Sequence, residues 1–176
     1  MRYGTLTFEE ALDKPELLAG PTLDYLKAYQ LRDVWVSGID PSLADTAAFC
    51  DAYEVSLGVS ANCVVVEAKR GERAWYAACV VLATNRIDVN GAVRKLLEAR
   101  KVSFAPMDSA IKLTGMEYGG ITPIGLPPEW PIFIDDHAMK QEKLILGSGI
   151  RGSKILTTAK VLGELSGAQV VAIVKN

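Results

Sequence analysis

Two apolar segments separated by a short polar one predict a β-hairpin in the middle of the chain. Cys63–Ala68 and Ala74–Ala83 are rich in Val, Ala and Cys, and Lys69–Glu72 between them supplies the turn. The uninterrupted apolar run Ala77–Ala83 is typical of a buried strand and is far too short to span a bilayer.

Helix-starting residues precede two further segments with apolar residues at helical spacing. Asp40-Pro41 combines an N-cap residue with proline at the first helical position, which predicts a helix to about Tyr53. Asp88 is in position to cap a second helix that ends near Arg100. Shorter elements complete the pattern: a helix at 22–30 that Thr22 can cap, a helix at 108–114 that Gly115 can end, a helix at 157–165, strands at 34–36, 102–104, 131–135, 142–146 and 169–174, and a loop at 147–153. Because helices and strands are mixed and one hairpin is clear, we predict an α+β fold around a mixed sheet.

The segment Thr114–Pro128 interrupts these elements with four glycines and three prolines. Glycine allows positive φ and close approach of another molecule to the backbone, whereas proline restricts φ. The composition therefore predicts a stiff, shaped loop, and long irregular loops inside compact domains are usually functional. We interpret it as a binding loop.

Length and composition are those of one globular domain covering residues 1–176, since 49% of the residues are hydrophobic. The acidic N-terminal segment does not resemble a signal peptide, so a cytoplasmic location is expected. Three cysteines without CxxC spacing predict buried, reduced thiols. One histidine, His137, makes an ordinary zinc site improbable, and no metal or cofactor is predicted.

Charge is distributed unevenly along the chain despite a net charge of only −2. Residues 1–54 contain four basic and ten acidic side chains, whereas residues 69–101 contain eight basic and three acidic ones. The basic segment, which includes Arg94, Arg100 and Lys101, fits phosphate binding and fits an ordinary solvated surface equally well.

The segment Gly147–Gly152 matches G-x-G-x-x-G, but nucleotide binding is disfavoured. No Asp or Glu follows about twenty residues later to hold a ribose, and Ser153-Lys154 reverses the Lys-Ser order of a P-loop. The loop, with Arg151 and Lys154, could still hold one phosphate or carboxylate through backbone N–H groups. A Ser-His-Asp or Cys-His arrangement would have to use His137, but its neighbours Asp135 and Asp136 are expected to point in different directions, as loop-capping residues.

The glycine loop, the strand Pro131–Asp136 (PIFIDD) and the segment Gly147–Lys154 (GSGIRGSK) together resemble the YbaK/EbsC family, which includes editing domains associated with prolyl-tRNA synthetase. The resemblance covers roughly residues 40–176, and residues 1–39 would be an N-terminal extension packed on the domain. It implies a mixed, barrel-like sheet wrapped by helices. It also implies hydrolysis of the ester of a mischarged aminoacyl-tRNA, acting in trans.

The resemblance also implies particular site residues. Asn62 occupies the position of the family's active-site lysine within Ala61–Val64, and Cys63 replaces the hydroxyl residue that usually follows that lysine. An asparagine can position a carbonyl or a water but supplies no cation. Substrate contacts are expected from the backbone and side chains of Gly119, Gly120, Ile121, Thr122, Pro123, Asp136, Gly147, Ser148 and Gly149, and tRNA contacts from Arg94, Arg100 and Lys101.

Three functional hypotheses remain open from the sequence. The first is an aminoacyl-tRNA deacylase with an altered site, and the second is an inactive module that binds an aminoacyl-tRNA or an aminoacyl-adenosine. The third is a structural or partner-binding domain with a rigid loop. The expected partner is the aminoacylated acceptor end of a tRNA, with no DNA and no membrane, and the sequence does not indicate an oligomeric state.

Overall fold

The computed structural model describes all residues, 1–176, as six α-helices and eleven strands in three sheets. The helices are α1 (Gly20–Ala28), α2 (Thr46–Tyr53), α3 (Arg94–Leu96), α4 (Met107–Thr114), α5 (Asp136–Met139) and α6 (Ala159–Gly163). The strands are β1 (Arg2–Tyr3), β2 (Leu6–Thr7), β3 (Glu9–Glu10), β4 (Val34–Gly38), β5 (Ala61–Arg70), β6 (Arg73–Leu82), β7 (Lys101–Phe104), β8 (Ile132–Asp135), β9 (Lys143–Gly147), β10 (Ser153–Thr158) and β11 (Ala168–Val171).

The predicted hairpin forms the centre of a five-stranded sheet with the order β11-β8-β6-β5-β7. Strands β5 and β6 pair antiparallel along their whole length, from Ala61 opposite Leu82 to Arg70 opposite Arg73. Strand β8 lies parallel to β6, and β7 pairs with only the distal half of β5. The sheet is therefore mixed, as the sequence predicts.

A four-stranded antiparallel sheet with the order β3-β4-β10-β9 packs against the first sheet. An isolated parallel bridge between Ser60 and Ile145 connects the start of β5 to β9. The largest apolar cluster includes residues of both sheets, among them Val65, Val80, Val36 and Ile155. Burial of this cluster holds the two sheets together, because apolar burial is the main favourable term in folding.

The N-terminal residues take part in this architecture. Strand β4 lies between β3 and β10 in the four-stranded sheet, and Leu18, Leu26 and Val34 belong to the central apolar cluster. Residues 1–39 therefore contribute four strands and helix α1 to the fold, and two of these strands, β3 and β4, belong to the four-stranded sheet.

Several boundaries differ from the sequence prediction. Strand β10 was not predicted, and it lies between the predicted loop at 147–153 and helix α6, which is shorter than the helix predicted at 157–165. Thr158 caps α6 by accepting from Val161 N–H. The predicted helix after Asp40 is divided into a 3₁₀ turn, Pro41–Leu43, and α2. The predicted helix after Asp88 begins as a π-helical turn, Val89–Val93, and α3 ends at Leu96.

Helix α1 begins before Thr22, which lies buried inside it and is not its cap. By contrast, Asp40 and Asp88 accept backbone N–H bonds as predicted, and Gly115 ends α4 with φ +69°.

The predicted α+β class around a mixed sheet is confirmed, although the sheets remain open and no barrel closes. None of the helices is long and apolar enough to cross a membrane.

Candidate functional site

A cavity of about 250 Å³ lies where the two sheets, the loop before α2 and the glycine loop meet. Its walls come from distant parts of the chain and are mostly uncharged: Ala44, Asp45, Thr46, Ala61, Asn62, Cys63, Val64, Val65, Ala105, Ala110, Tyr118, Gly119, Ile121, Gly147 and Lys154. Cavities lined by apolar groups with a few converging polar ones are the usual form of small-molecule sites. This cavity is therefore the candidate site.

Two glycine-containing loops, 115–125 and 147–152, form one wall because they are hydrogen-bonded to each other. Gly149 N–H donates to the carbonyl of Gly120 at 2.6 Å, and Glu117 N–H donates to the carbonyl of Gly149 at 2.9 Å. The Glu117 carboxylate accepts from Arg151 N–H at 2.7 Å. These bonds make the two loops a single structural unit.

Close approach of the two loops explains why two of their positions are glycine. A Cβ atom at Gly120 would lie 2.6 Å from the carbonyl oxygen of Ile150. One at Gly147 would lie 2.5 Å from the carbonyl oxygen of Gly120. Such separations are well inside contact distance, so any larger residue would force the loops apart.

The hydrogen bonds between and within these loops argue against the phosphate-binding interpretation of the G-x-G-x-x-G segment. The N–H groups of Gly149, Ile150 and Arg151 are used by Gly120, Ser148 and Glu117 respectively. A phosphate nest needs free N–H groups that converge on one point. Three N–H groups that such a nest would use are therefore already engaged within the protein, which argues against a phosphate or carboxylate in this loop.

Asn62 lies at the start of β5 and lines the cavity. Its side-chain oxygen accepts from the hydroxyl of Thr46 at 2.6 Å, while its amide NH₂ has no partner within the protein. Thr46 fixes the orientation of the Asn62 amide, because its hydroxyl bonds the amide oxygen. The amide nitrogen is left as a hydrogen-bond donor for a ligand.

The neighbouring backbone of β5 provides further polar groups. Strand β7 pairs only with Val66–Lys69, so β5 has no strand partner on that side from Asn62 to Val64. The carbonyl of Val65 accepts from Ala105 N–H, which lies on that side. Because backbone groups alternate along a strand, the N–H and C=O of Cys63 point the same way, towards the open edge beside the cavity.

Lys154, on β10, lines the cavity, whereas the sequence places it with Arg151 in the glycine loop as a candidate phosphate or carboxylate ligand. Its exposed fraction is only 7%, yet its side chain lines the cavity. The ammonium group donates to the carbonyl of Ala44 at 2.8 Å and lies 5.0 Å from the centre of the Phe49 ring. Burial lowers its pKa from the ordinary value of 10.5. The sequence signal for its burial was weak, because Lys154 lies in a short strand, Ser153–Thr158, in which only Ile155 and Leu156 are apolar and which was not recognised.

The thiols near the site are unsuited to nucleophilic catalysis. Burial, with a smaller contribution from Cys79, raises the pKa of the Cys63 thiol, and burial raises the pKa of Cys79 to about 12. A thiol is nucleophilic as the thiolate, and a raised pKa keeps both thiols in the protonated form at neutral pH. All three cysteines are free, as predicted, although Cys63 is only half-buried.

Asp135, Asp136 and His137 come together more closely than the sequence suggested, because α5 begins there. Nδ1 of His137 lies 2.9 Å from Oδ2 of Asp135 and 3.1 Å from Oδ1 of Asp136. Asp135 is fully buried, caps α5 through His137 N–H, and accepts from Ile173 N–H at 3.0 Å. The expectation that the side chains diverge is wrong, whereas the expected capping role of Asp135 is present. None of the three lines the cavity.

The structure separates the residues expected to bind substrate into two groups. Asn62, Gly119, Ile121 and Gly147 line the cavity. The remaining ones do not: Gly120, Thr122, Pro123, Asp136, Ser148 and Gly149. Of these, Gly120 and Gly149 join the two loops, Ser148 bonds within its own loop and to Ser153, and Pro123 borders a different surface groove beside α1.

The residues expected to bind tRNA lie at the opposite end of the hairpin. Arg94 and Arg100 border a surface groove together with Arg70, while Lys101 is exposed on β7 and does not line it. Lys69, next to Arg70, lies seven positions after Asn62 on β5, which is roughly 24 Å in an extended strand. We refer to Arg70, Arg94 and Arg100 as the arginine groove.

Comparison with known proteins supports this description of the fold. A solved structure of a candidate trans-editing enzyme for prolyl tRNA synthetase superimposes with a TM-score of 0.77 at 21% identity, covering 90% of this chain and 97% of that chain. The structure of the hypothetical protein APE2540 gives the same TM-score and identity over 88% of this chain and 99% of the other. The family described as the aminoacyl-tRNA editing domain matches residues 40–165. The chain therefore belongs to the aminoacyl-tRNA editing domain family, as the resemblance to YbaK/EbsC proteins predicted.

Proposed function

We propose that this protein hydrolyses the ester bond of a mischarged aminoacyl-tRNA in trans, with the aminoacyl group held in the cavity beside Asn62. The observation that carries the proposal is the convergence of Asn62, Gly119 and Gly147 on one cavity inside the segment that matches the editing-domain family. The reaction needs an ester carbonyl held in place and a water directed at it.

The polar groups of the cavity fit these needs. The amide nitrogen of Asn62, oriented by Thr46, is available to donate to the ester carbonyl or to an attacking water. The N–H of Cys63 at the open edge of β5 offers a second donor, and its C=O can accept from the substrate's amino group. The 2′-hydroxyl of the terminal ribose, which the substrate itself brings, could assist the attack of water.

The apolar lining fits a small, uncharged aminoacyl side chain. Ala61, Val65, Ala105 and Ala110 leave a cavity of only about 250 Å³. A charged side chain would lose its hydration without a matched partner in such a lining, which is costly. Small or medium apolar amino acids are therefore the proposed substrates.

The arginine groove is the proposed contact for the tRNA backbone. With the 3′ end in the cavity, a helical stem that runs along the β5–β6 hairpin would reach these residues roughly 24 Å away. Arg70, Arg94 and Arg100 would then meet phosphates and carry no sequence information, since phosphate contacts position a nucleic acid without reading its bases.

A deacylation assay over a panel of mischarged tRNAs tests the proposed function. Purified protein should release the amino acid from at least one tRNA that carries a small apolar residue. Correctly paired aminoacyl-tRNAs that carry large or charged amino acids serve as control substrates, and their ester bonds should remain intact. Protein that leaves every member of the panel intact would contradict the hydrolytic function.

The alternative of an inactive binding module makes a different prediction in the same experiment. Such a protein would bind an aminoacyl-tRNA more tightly than the deacylated tRNA and protect its ester from spontaneous hydrolysis. Absence of both binding and turnover would instead favour a structural or partner-binding domain.

A further inference from the structure

The only ammonium group in the wall of the cavity, that of Lys154, lacks a carboxylate partner. No Asp or Glu oxygen lies within 4.0 Å of its Nζ, and its one hydrogen bond is to the carbonyl of Ala44. An ammonium has three N–H donors, so two remain unused within the protein. Water or a ligand in the cavity has to satisfy them.

This arrangement is difficult to explain as a contribution to stability. Burying a charge without a partner costs free energy, and lysine is rarely buried in that way. The nearest candidate partner, Asp45, instead has a carboxylate oxygen 3.7 Å from the guanidinium of Arg151, and its side chain is 78% exposed. The single bond to Ala44 and the cation–π contact with the Phe49 ring hold the chain in place but compensate the charge only in part.

We propose that Lys154 is a catalytic residue whose ammonium donates to the carbonyl oxygen of the bound ester and stabilises the negative charge that develops there. This inference rests on the proposed function. In the reaction, water oxygen bonds to the carbonyl carbon and the electron pair of the C=O bond moves to its oxygen. That pair then returns, the bond to the ribose oxygen breaks, and the ribose oxygen takes a proton that originates from the water. The products are a free amino acid and a tRNA with a free ribose hydroxyl.

The position of Lys154 suits this role better than a contact with a phosphate. It lines the same cavity as Asn62 and Gly119, where the aminoacyl group is proposed to lie. The remaining donors of one ammonium match a single carbonyl oxygen, whereas phosphate groups are usually bound by several converging donors. With the amide of Asn62, Lys154 would form a two-donor oxyanion site, and removing one such donor typically costs about 100-fold or more in rate.

Substitutions of Lys154 test the inference through rate and binding together. Lys154→Gln keeps a donor for the Ala44 carbonyl but removes the charge, and Lys154→Met removes both. Each should lower kcat about 100-fold or more with KM nearly unchanged, while Lys160→Met, which neutralises an exposed lysine on α6, should leave kcat unchanged. Thermal denaturation shows whether each variant is folded, and full activity in folded Lys154→Gln would overturn the inference.

The pH dependence of kcat gives a readout that a purely structural role would not change. Besides the burial that lowers its pKa, the titratable and charged groups acting on Lys154 are Cys50 and Asp45, which favour its charged form, and Arg151, which opposes it. Because the charged amine is the active form, kcat after subtraction of spontaneous hydrolysis should fall on the alkaline side below pH 10.5. Lys154→Arg, if active, should lose this decline, since a guanidinium does not titrate there. A profile without an alkaline decline in the wild type would contradict the inference.

A binding measurement separates failure of this inference from failure of the proposed function. The probe is an aminoalkylphosphonate ester of adenosine, which is tetrahedral and anionic like the intermediate. If the wild type hydrolyses no aminoacyl-tRNA, the proposed hydrolytic function is wrong. Binding of the probe that is at least tenfold weaker in Lys154→Gln than in the wild type would still support the contact between the Lys154 ammonium and the anionic centre. Equal binding by both proteins, or no binding by the wild type, would overturn it.

Discussion

Gly149 N–H donates to the carbonyl of Gly120 at 2.6 Å, and this bond joins two loops that are distant in the sequence into one wall of the cavity. Glycine at position 120 makes the bond possible, because its backbone lies against that of Ile150. The role of Gly120 is therefore to join the loops, and Gly119 next to it is the residue that faces the cavity.

Gly120→Ala should destabilise the protein and lower ligand binding together. The new Cβ would lie 2.6 Å from the backbone of Ile150. Separating the loops is expected to cost roughly 1–3 kcal/mol of unfolding free energy, as overpacking does elsewhere. Urea denaturation measures this cost. Gly152→Ala is the matched control, since a Cβ there meets only ordinary contacts at 3.8 Å or more. Equal stability of the two variants would show that the loops separate without cost.

Asn62→Ala should reduce kcat of deacylation about 100-fold, because it removes a donor aimed at the reacting ester. Asn62→Lys should also lower turnover, since a second ammonium would share the cavity with that of Lys154 and Thr46 would lose its acceptor. Single-turnover hydrolysis measures both effects. Thr46→Val tests the orienting role of Thr46 and should have a smaller effect. Turnover raised by Asn62→Lys would mean that the site works with a lysine and is a decayed form of that arrangement.

Replacing Arg70, Arg94 and Arg100 together by Ala should weaken tRNA binding and flatten its dependence on salt. Each lost phosphate contact reduces the slope of log K against log salt by about 0.9 for a duplex. Filter binding between low and physiological salt measures the slope. The cavity lies roughly 24 Å away, so hydrolysis of a minimal aminoacyl-adenosine should be unchanged.

A control triple variant at exposed basic residues outside the groove, Lys27, Arg32 and Lys140, removes the same charge. If both triple variants change the slope equally, the groove has no particular role and the net charge alone determines binding.

Asp135→Ala should lower the unfolding free energy by about 2–4 kcal/mol, because Asp135 is buried and accepts from the N–H groups of His137 and Ile173. Asp136→Ala, at a half-exposed neighbour, should change it by less than about 0.5 kcal/mol. Chemical denaturation measures both. Kinetic parameters measured well below the melting temperature should be similar for the two variants, and a selective loss of kcat in Asp136→Ala would assign that carboxylate to the chemistry.

The elements predicted correctly are those whose signal is local. The β5–β6 hairpin follows from two apolar runs around a polar turn, and Gly115 ends α4 because it adopts positive φ readily. Strand β10 was missed because it follows a glycine loop, begins with the polar residues Ser153 and Lys154, and gains strand geometry from pairing with β4 and β9. A strand that is stabilised mainly by pairing with distant strands need not show an alternating apolar pattern in its own sequence.

For the candidate site, the sequence by itself determined the family, the stiff glycine loop and the placement of Asn62 at the start of a strand, because motif order and turn chemistry are local properties. Only the tertiary structure decided that Gly120 packs against Ile150 while Gly119 faces the cavity. It also decided that Lys154 is buried in the wall of the same cavity as Asn62, although a lysine in sequence is expected to be exposed. Burial and close approach depend on which distant segments meet, and that is set by packing of the two sheets over the whole chain.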